Sequence, residues 1–144
     1  MATSNAATNY LERRLLHFLF KNNSLSFSSP GDSIYVGLCT AVSAAETGSV
    51  TEASFSGYAR QQVAAANWTT IGADSTDTQT AKNTSAIEFP AKTDSGNVTI
   101  THVIIADASS SGNILFVGAL DASKTLAQND IFRINATNLS IELK

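Results

Sequence analysis

The stretch Asn97–Leu120, NVTITHVIIADASSSGNILFVGAL, decides the fold. Two runs rich in branched residues flank a short Asp/Ser/Gly segment, the pattern of two neighbouring strands joined by a loop. In the first run Val98, Ile100, His102, Ile104 and Ala106 fall on one face and Thr99, Thr101, Val103 and Ile105 on the other, because strand side chains alternate. The run begins half polar and ends apolar on both faces, so its second half is expected inside. In the second run Ile114, Phe116 and Leu120 share a face with Gly118, while Leu115, Val117 and Ala119 line the opposite one. Each large side chain is worth roughly 1.5–3 kcal/mol when buried. This centrepiece supplies a core and no chemistry.

Working towards the N-terminus, Gly57-Tyr58-Ala59-Arg60 opens a strand through Val63 with little hydrophobic drive, which places it at an edge or interface. Residues 41–56, AVSAAETGSVTEASFS, hold neither a helical nor a strand period and read as a long exposed loop. Ile34, Val36 and Leu38 alternate with Tyr35, Gly37 and Cys39 in a strand covered on both sides, and Pro30-Gly31 marks a turn in the loop 22–32 before it. Between residues 9 and 21 the period changes to that of a helix, with Asn9 as cap and Glu12 three residues on. Leu11, Leu15, Phe18 and Leu19 share one side of that helix, and Leu16 and Phe20 widen it to roughly half the circumference. Arg13, Arg14, His17 and Lys21 are left on the polar side. So broad an apolar arc fits a helix plugging one end of the β domain, or one that also packs against another chain. Residues 1–8 are a loose arm unless a partner holds them.

Towards the C-terminus, Asp121–Asp130 reads as a turn-rich connection, followed by strands at Ile131–Ala136 and Leu139–Leu143, with Leu139, Ile141 and Leu143 facing in. Upstream of the hairpin, residues 72–84 form a polar loop, and Ile87 and Phe89 belong to a short strand stopped by Pro90. The fold expected is all-β: an antiparallel β-sandwich or jelly-roll-like barrel of about seven or eight strands with one N-terminal α-helix. It is one domain over residues 1–144, with the arm and helix in 1–22.

Composition narrows the function. Charged residues are 15% of the chain, against about 25% in typical soluble domains, so the surface is built from Ser, Thr, Asn and Ala and suits close packing against other subunits. A net charge of −3 offers no basic stripe for nucleic acid. No run is apolar for long enough to cross a bilayer, and no secretory signal opens the sequence. Cys39 is the single cysteine, which rules out an intrachain disulfide and a thiolate cluster; among apolar neighbours it reads as a buried, inert thiol. The Asn-x-Ser/Thr triplets at Asn22, Asn67, Asn83, Asn97, Asn135 and Asn138 follow from composition.

No catalytic constellation is present. His17 and His102 lack a partner at metal-ligand spacing, and neither a nucleophile elbow nor a phosphate loop occurs. Asp94-Ser95-Gly96 echoes an aspartic-protease triplet but sits in a turn, where those residues belong for backbone reasons. Asp107 and Asp121 close the ends of the central strand pair and would hold a cation only with further carboxylates beside them. Neither a catalytic group, a cofactor nor a metal is assigned. Trp68 reads as a core anchor. In a carbohydrate-binding module, Tyr58, Trp68 and the Asn/Asp-rich loops would instead meet a sugar.

Taken together, Thr8-Asn9-Tyr10-Leu11-Glu12 with Leu15-Leu16, Tyr35-Val36-Gly37-Leu38, Gly57-Tyr58-Ala59-Arg60, Ile87-Glu88-Phe89-Pro90, Thr101-His102 through Asp107, Gly112-Asn113-Ile114-Leu115 with Gly118-Ala119-Leu120, and Asn129-Asp130-Ile131-Phe132-Arg133 resemble a family of small tailed-bacteriophage virion proteins, often labelled tail-fibre proteins. The resemblance implies a non-enzymatic structural part of the virion, made in the bacterial cytoplasm and located at the capsid surface or tail. One compact domain without repeats does not itself form a long fibre, which favours a capsid cement or decoration protein, with a tail or fibre-base subunit as the alternative. The partners expected are further copies of the chain, as a dimer or trimer, and other virion proteins, foremost the major capsid protein, with neither nucleic acid nor membrane. The candidate interface residues are Leu11, Leu15, Leu16, Phe20, Tyr58 and Arg60.

Overall fold

The computed structural model describes residues 5–21, 34–69, 71 and 79–143. In chain order its elements are β1 (Ala6–Ala7), α1 (Asn9–Lys21), β2 (Tyr35–Ala44), β3 (Ser49–Glu52), β4 (Gln61–Gln62), a 3-10 turn (Ala65–Asn67), β5 (Gln79–Lys82), β6 (Ile87–Glu88), β7 (Val98–Ala106), β8 (Ile114–Leu126), β9 (Arg133–Ile134) and β10 (Ser140–Leu143). The described residues form an all-β chain with one α-helix at its N-terminal end. The main sheet has six antiparallel strands ordered β1-β8-β7-β2-β3, with β4 also on β2, and the ribbons β10-β5 and β6-β9 complete the β structure.

The predicted hairpin is the spine of this sheet. β7 pairs with β8 on one side and β2 on the other, through Ile104 opposite both Val117 and Gly37. One face of the sheet buries Val36, Leu38 and Val103 with Phe55, Val63, Ile87, Phe89, Phe132, Ile134 and Leu139, so the β6–β9 ribbon and its flanking residues, with Leu139 just before β10, close the larger core. The other face holds a smaller cluster of Cys39, Ala45, Ile104 and Val117. Simple alternation along β7 does not survive its whole length. Ile100 stands opposite Lys124 but His102 opposite Ala119, so extra residues of β8 bulge out against Thr101. Ile100 accordingly joins the larger cluster and Ile104 the smaller.

Five segments differ from expectation, the first being the strand expected at Ile131–Ala136, which shrinks to β9, Arg133–Ile134. Residues 41–52 are not a loop: β2 runs on to Ala44 and a four-residue turn returns the chain as β3. Small residues there blur the alternation of Val42 and Val50, and Gly48, at φ +68°, adopts the left-handed conformation that the turn needs. Asp121–Leu126 continues β8 rather than forming a connection; its residues are exposed apart from Leu126, so polarity there marks an outer strand and not a turn. Gln79–Lys82 of the expected polar loop forms β5, because β10 supplies its partner from a distant part of the chain. The predicted strand beginning at Gly57 shrinks to Gln61–Gln62, an edge pairing on β2. The expected turn at Pro30-Gly31 and the loop residues 72–78 lie outside the described residues.

Candidate assembly surface

Of the arm expected over residues 1–8, residues 5–8 are tied down rather than loose, and residues 1–4 lie outside the described residues. Ala6 and Ala7 pair with Val117 and Phe116 of β8. Thr8 is buried; its hydroxyl donates to the Ile114 carbonyl, and its backbone N–H donates to the Leu115 carbonyl at 2.9 Å. The helix cap is therefore Thr8 in place of the predicted Asn9: Thr8 Oγ1 accepts from the Leu11 N–H at 3.4 Å. Asn9 N–H instead donates to the Glu46 carbonyl in the β2–β3 turn at 2.6 Å. A short fixed root thus aims the helix.

No residue of α1 is buried. Tyr10, Leu11, Arg14 and His17 are half-covered, and the Arg14 guanidinium lies 5.2 Å from the Tyr10 ring centre. The apolar arc faces solvent, with Leu16 57%, Leu19 60% and Phe20 76% exposed, and Leu15 and Phe18 exposed beside them. The plug reading is overturned, since a plug would bury these side chains. Of the predicted interface residues, Leu15, Leu16 and Phe20 lie together on this open arc and Leu11 lies at its half-covered root. Phe18 and Leu19 belong with them; their place on the same arc of the helical wheel was the signal.

Tyr58 and Arg60 are elsewhere, with their polar groups engaged inside the chain. The Tyr58 hydroxyl donates to Glu52 Oε1 at 2.6 Å and accepts from the Leu38 N–H at 2.9 Å. Its ring packs 5.4 Å from Phe55 and 6.3 Å from Phe89. Arg60, its side chain 6% exposed, forks onto Glu52 through Nε at 2.7 Å and Nη2 at 2.8 Å. Its Nη1 donates to the carbonyls of Ala108 and Ser111, both at 2.8 Å, and so ties the β2–β3 hairpin to the β7–β8 loop. Burial raises the Glu52 carboxyl, but the hydrogen bonds from Arg60 and Tyr58 and the Arg60 charge outweigh it and hold Glu52 below its ordinary value. Burial and the bond to Glu52 push the Tyr58 phenol up.

Cys39, His102, Asp107 and Asp94 are similarly engaged in structure, whereas Asp121 is exposed on β8. Burial, reinforced by Glu52, pushes the Cys39 thiol up to about 12. His102 is half-covered, its Nδ1 lies 2.8 Å from Thr101 Oγ1, and desolvation lowers its pKa. Both Asp107 carboxylate oxygens accept from Asn113, at 2.7 and 2.8 Å, and close the hairpin loop. Asp94 is ion-paired at 3.0 Å with the buried Lys92, whose ammonium also donates to the Asp94 and Ser95 carbonyls. Trp68 packs half-covered against the larger core. Among the described residues no three His, Cys, Asp or Glu side chains gather where they could hold a metal, and no helix is long and apolar enough to cross a membrane.

The second open surface is a groove of about 1000 Å³ between β1 and β8 on one side and β9 and β10 on the other. Phe116, Leu120, Ile141 and Leu143 line it, and Leu143, expected to face in, is 57% exposed. The sequence did not reveal this groove, because its walls come from segments far apart in the chain.

A protein-family model described as podophage GP4 fiber I protein gp80 matches residues 6–142. No curated protein matches the chain.

Proposed function

The chain belongs to the podophage GP4 fiber I protein gp80 family, and from that premise we propose that it is a non-enzymatic structural subunit of a virion, held in its assembly through the apolar face of α1. One observation carries the reading: five large apolar side chains, Leu15, Leu16, Phe18, Leu19 and Phe20, stand exposed on a helix whose root is fixed to the sheet. Covering what they leave open is worth on the order of 4–8 kcal/mol, a stabilisation available only when something packs on them. The polar groups of Tyr58, Arg60, Glu52 and Asp107 serve the fold, which supports a part that joins shapes over one that makes or breaks bonds.

The family's description supports a fibre address, and a compact body without repeats supports a short subunit at the fibre base over a shaft. Capsid decoration, with the major capsid protein as partner, is the second reading, favoured by the same compact body and low charge. Gold labelling of the tagged protein on purified particles separates the two. Label on the fibres or their attachment ring is the expected outcome; label spread over the shell supports decoration, and absence from mature particles refutes both. Particles carrying Leu16→Ser with Phe20→Ser should hold several-fold less of the protein, while the isolated variant keeps its urea midpoint.

A further inference from the structure

We propose that α1 of one copy seats its apolar arc in the open groove between β8 and β10 of a second copy. The inference deepens the fibre-subunit reading and rests on it for the biological use of the contact, but not for the contact itself.

The two surfaces are complementary parts of the same chain. The groove's mixed lining presents the apolar Phe116, Leu120, Ile141 and Leu143 beside the small Ala7, interspersed with polar residues such as Asn135 and Ser140, and no described residue of α1 lines it. The helix has 13 residues, which makes it about 20 Å long, and it carries an exposed apolar arc. A helix laid in an apolar groove is a common way for one chain to hold another. The intramolecular alternative is disfavoured by the root. α1 starts at Asn9, two residues beyond Ala7 on the groove's own rim, and Thr8 is pinned there by hydrogen bonds to Ile114 and Leu115. The side of the helix that is half-covered is the one carrying Tyr10, Arg14 and His17, so the apolar arc is turned to where a neighbour can reach it. Charges of both signs, Asp121, Glu142, Lys124 and Arg133, stand along the groove. Seating therefore depends on apolar area and should change little between low and high salt. Because the helix and the groove are different patches, the contact is heterologous and builds a ring or an open array, according to whether its rotation closes.

Two variants of the full chain test this. Leu16→Ser with Phe20→Ser removes the helix arc and keeps the groove; Ser140→Glu with Leu143→Glu, both at exposed positions, charges the groove and keeps the helix. Sedimentation velocity is run on each alone and on the mixture, with urea midpoints as the check on folding. The expected result is a wild type that self-associates, two variants that each associate at least tenfold more weakly, and a mixture that forms a 1:1 complex. The proposal is overturned by a wild type that stays monomeric, by a groove variant that associates like wild type, which would mean helix against helix, or by two folded variants that fail to complement. Each of these results leaves the fibre-subunit reading standing, whereas absence of the protein from particles sinks that reading and leaves a measured self-contact intact.

Discussion

Replacing Asn83 by Ala should remove three side-chain hydrogen bonds that join the end of β5 to the segment between β9 and β10 and to Ser85. Asn83 is fully buried. Its side-chain amide donates to the Ser85 and Asn135 carbonyls at 2.8 and 2.9 Å, and its Oδ1 accepts from the Leu139 N–H at 2.9 Å. Each bond contributes about 0.5–1.5 kcal/mol, and an N–H left buried without an acceptor costs about 1–3 kcal/mol. Since the side chain is entirely enclosed, water reaches the orphaned groups only by opening the seam, so a loss of about 3–4 kcal/mol is expected. That is a large share of the roughly 5–15 kcal/mol that holds a domain together, and it lowers the melting temperature by about 10 °C at roughly 3 °C per kcal/mol. Urea unfolding followed by Trp68 fluorescence is the assay, with Asn97→Ala as an exposed control. Asn83→Asp should lose nearly as much, because a carboxylate would face two carbonyls. A loss below about 1 kcal/mol for Asn83→Ala, with an unchanged denaturant slope, refutes the reasoning.

Arg60→Met should destabilise by about 3 kcal/mol, since it leaves the Glu52 carboxylate with only the Tyr58 hydroxyl as donor and removes the side-chain donor to two loop carbonyls; in a double-mutant cycle with Glu52→Gln, a coupling near zero would show that the pair is idle. Gly37→Ala should cost about 1–3 kcal/mol by overpacking, because a Cβ there would stand 2.9 Å from both Ile104 Cγ1 and the Tyr58 hydroxyl; an unchanged thermal midpoint would count against that packing. Acid should weaken the fold in two stages. His102 is held neutral below its ordinary 6.5, so the unfolded chain takes up that proton first and stability begins to fall as pH drops through this value. Glu52 titrates below its ordinary 4.5, so its contribution is present above that value and is lost as pH falls through the folded one; His102→Gln should abolish the first stage of the urea-midpoint profile and spare the second. Burial holds the Cys39 thiol protonated to about 12, so a thiol reagent at pH 8 should leave it unmodified until urea unfolds the chain, and rapid labelling of the native protein would contradict its burial.

The two strands of the Val98–Ala106 and Ile114–Leu120 pair, and the helical spacing from Leu11 to Phe20, were legible in the sequence because local side-chain periodicity follows from backbone geometry. Strand β5 was not legible, nor were the bulge opposite Thr101 and the pairing of Arg60 with Glu52, because each needs a partner that only the folded chain brings near. Asn83 shows the limit most plainly. It reads as one polar residue in a polar loop, and its burial is decided by Ser85, Asn135 and Leu139 closing around it. The sequence alone determined an all-β body carrying an apolar helix. Whether that helix plugged the body or stood away from it was decided only in the tertiary structure, by the bonds of Thr8 and Asn9 to β8 and to the β2–β3 turn, because the direction of a helix is set by its root and not by its own periodicity.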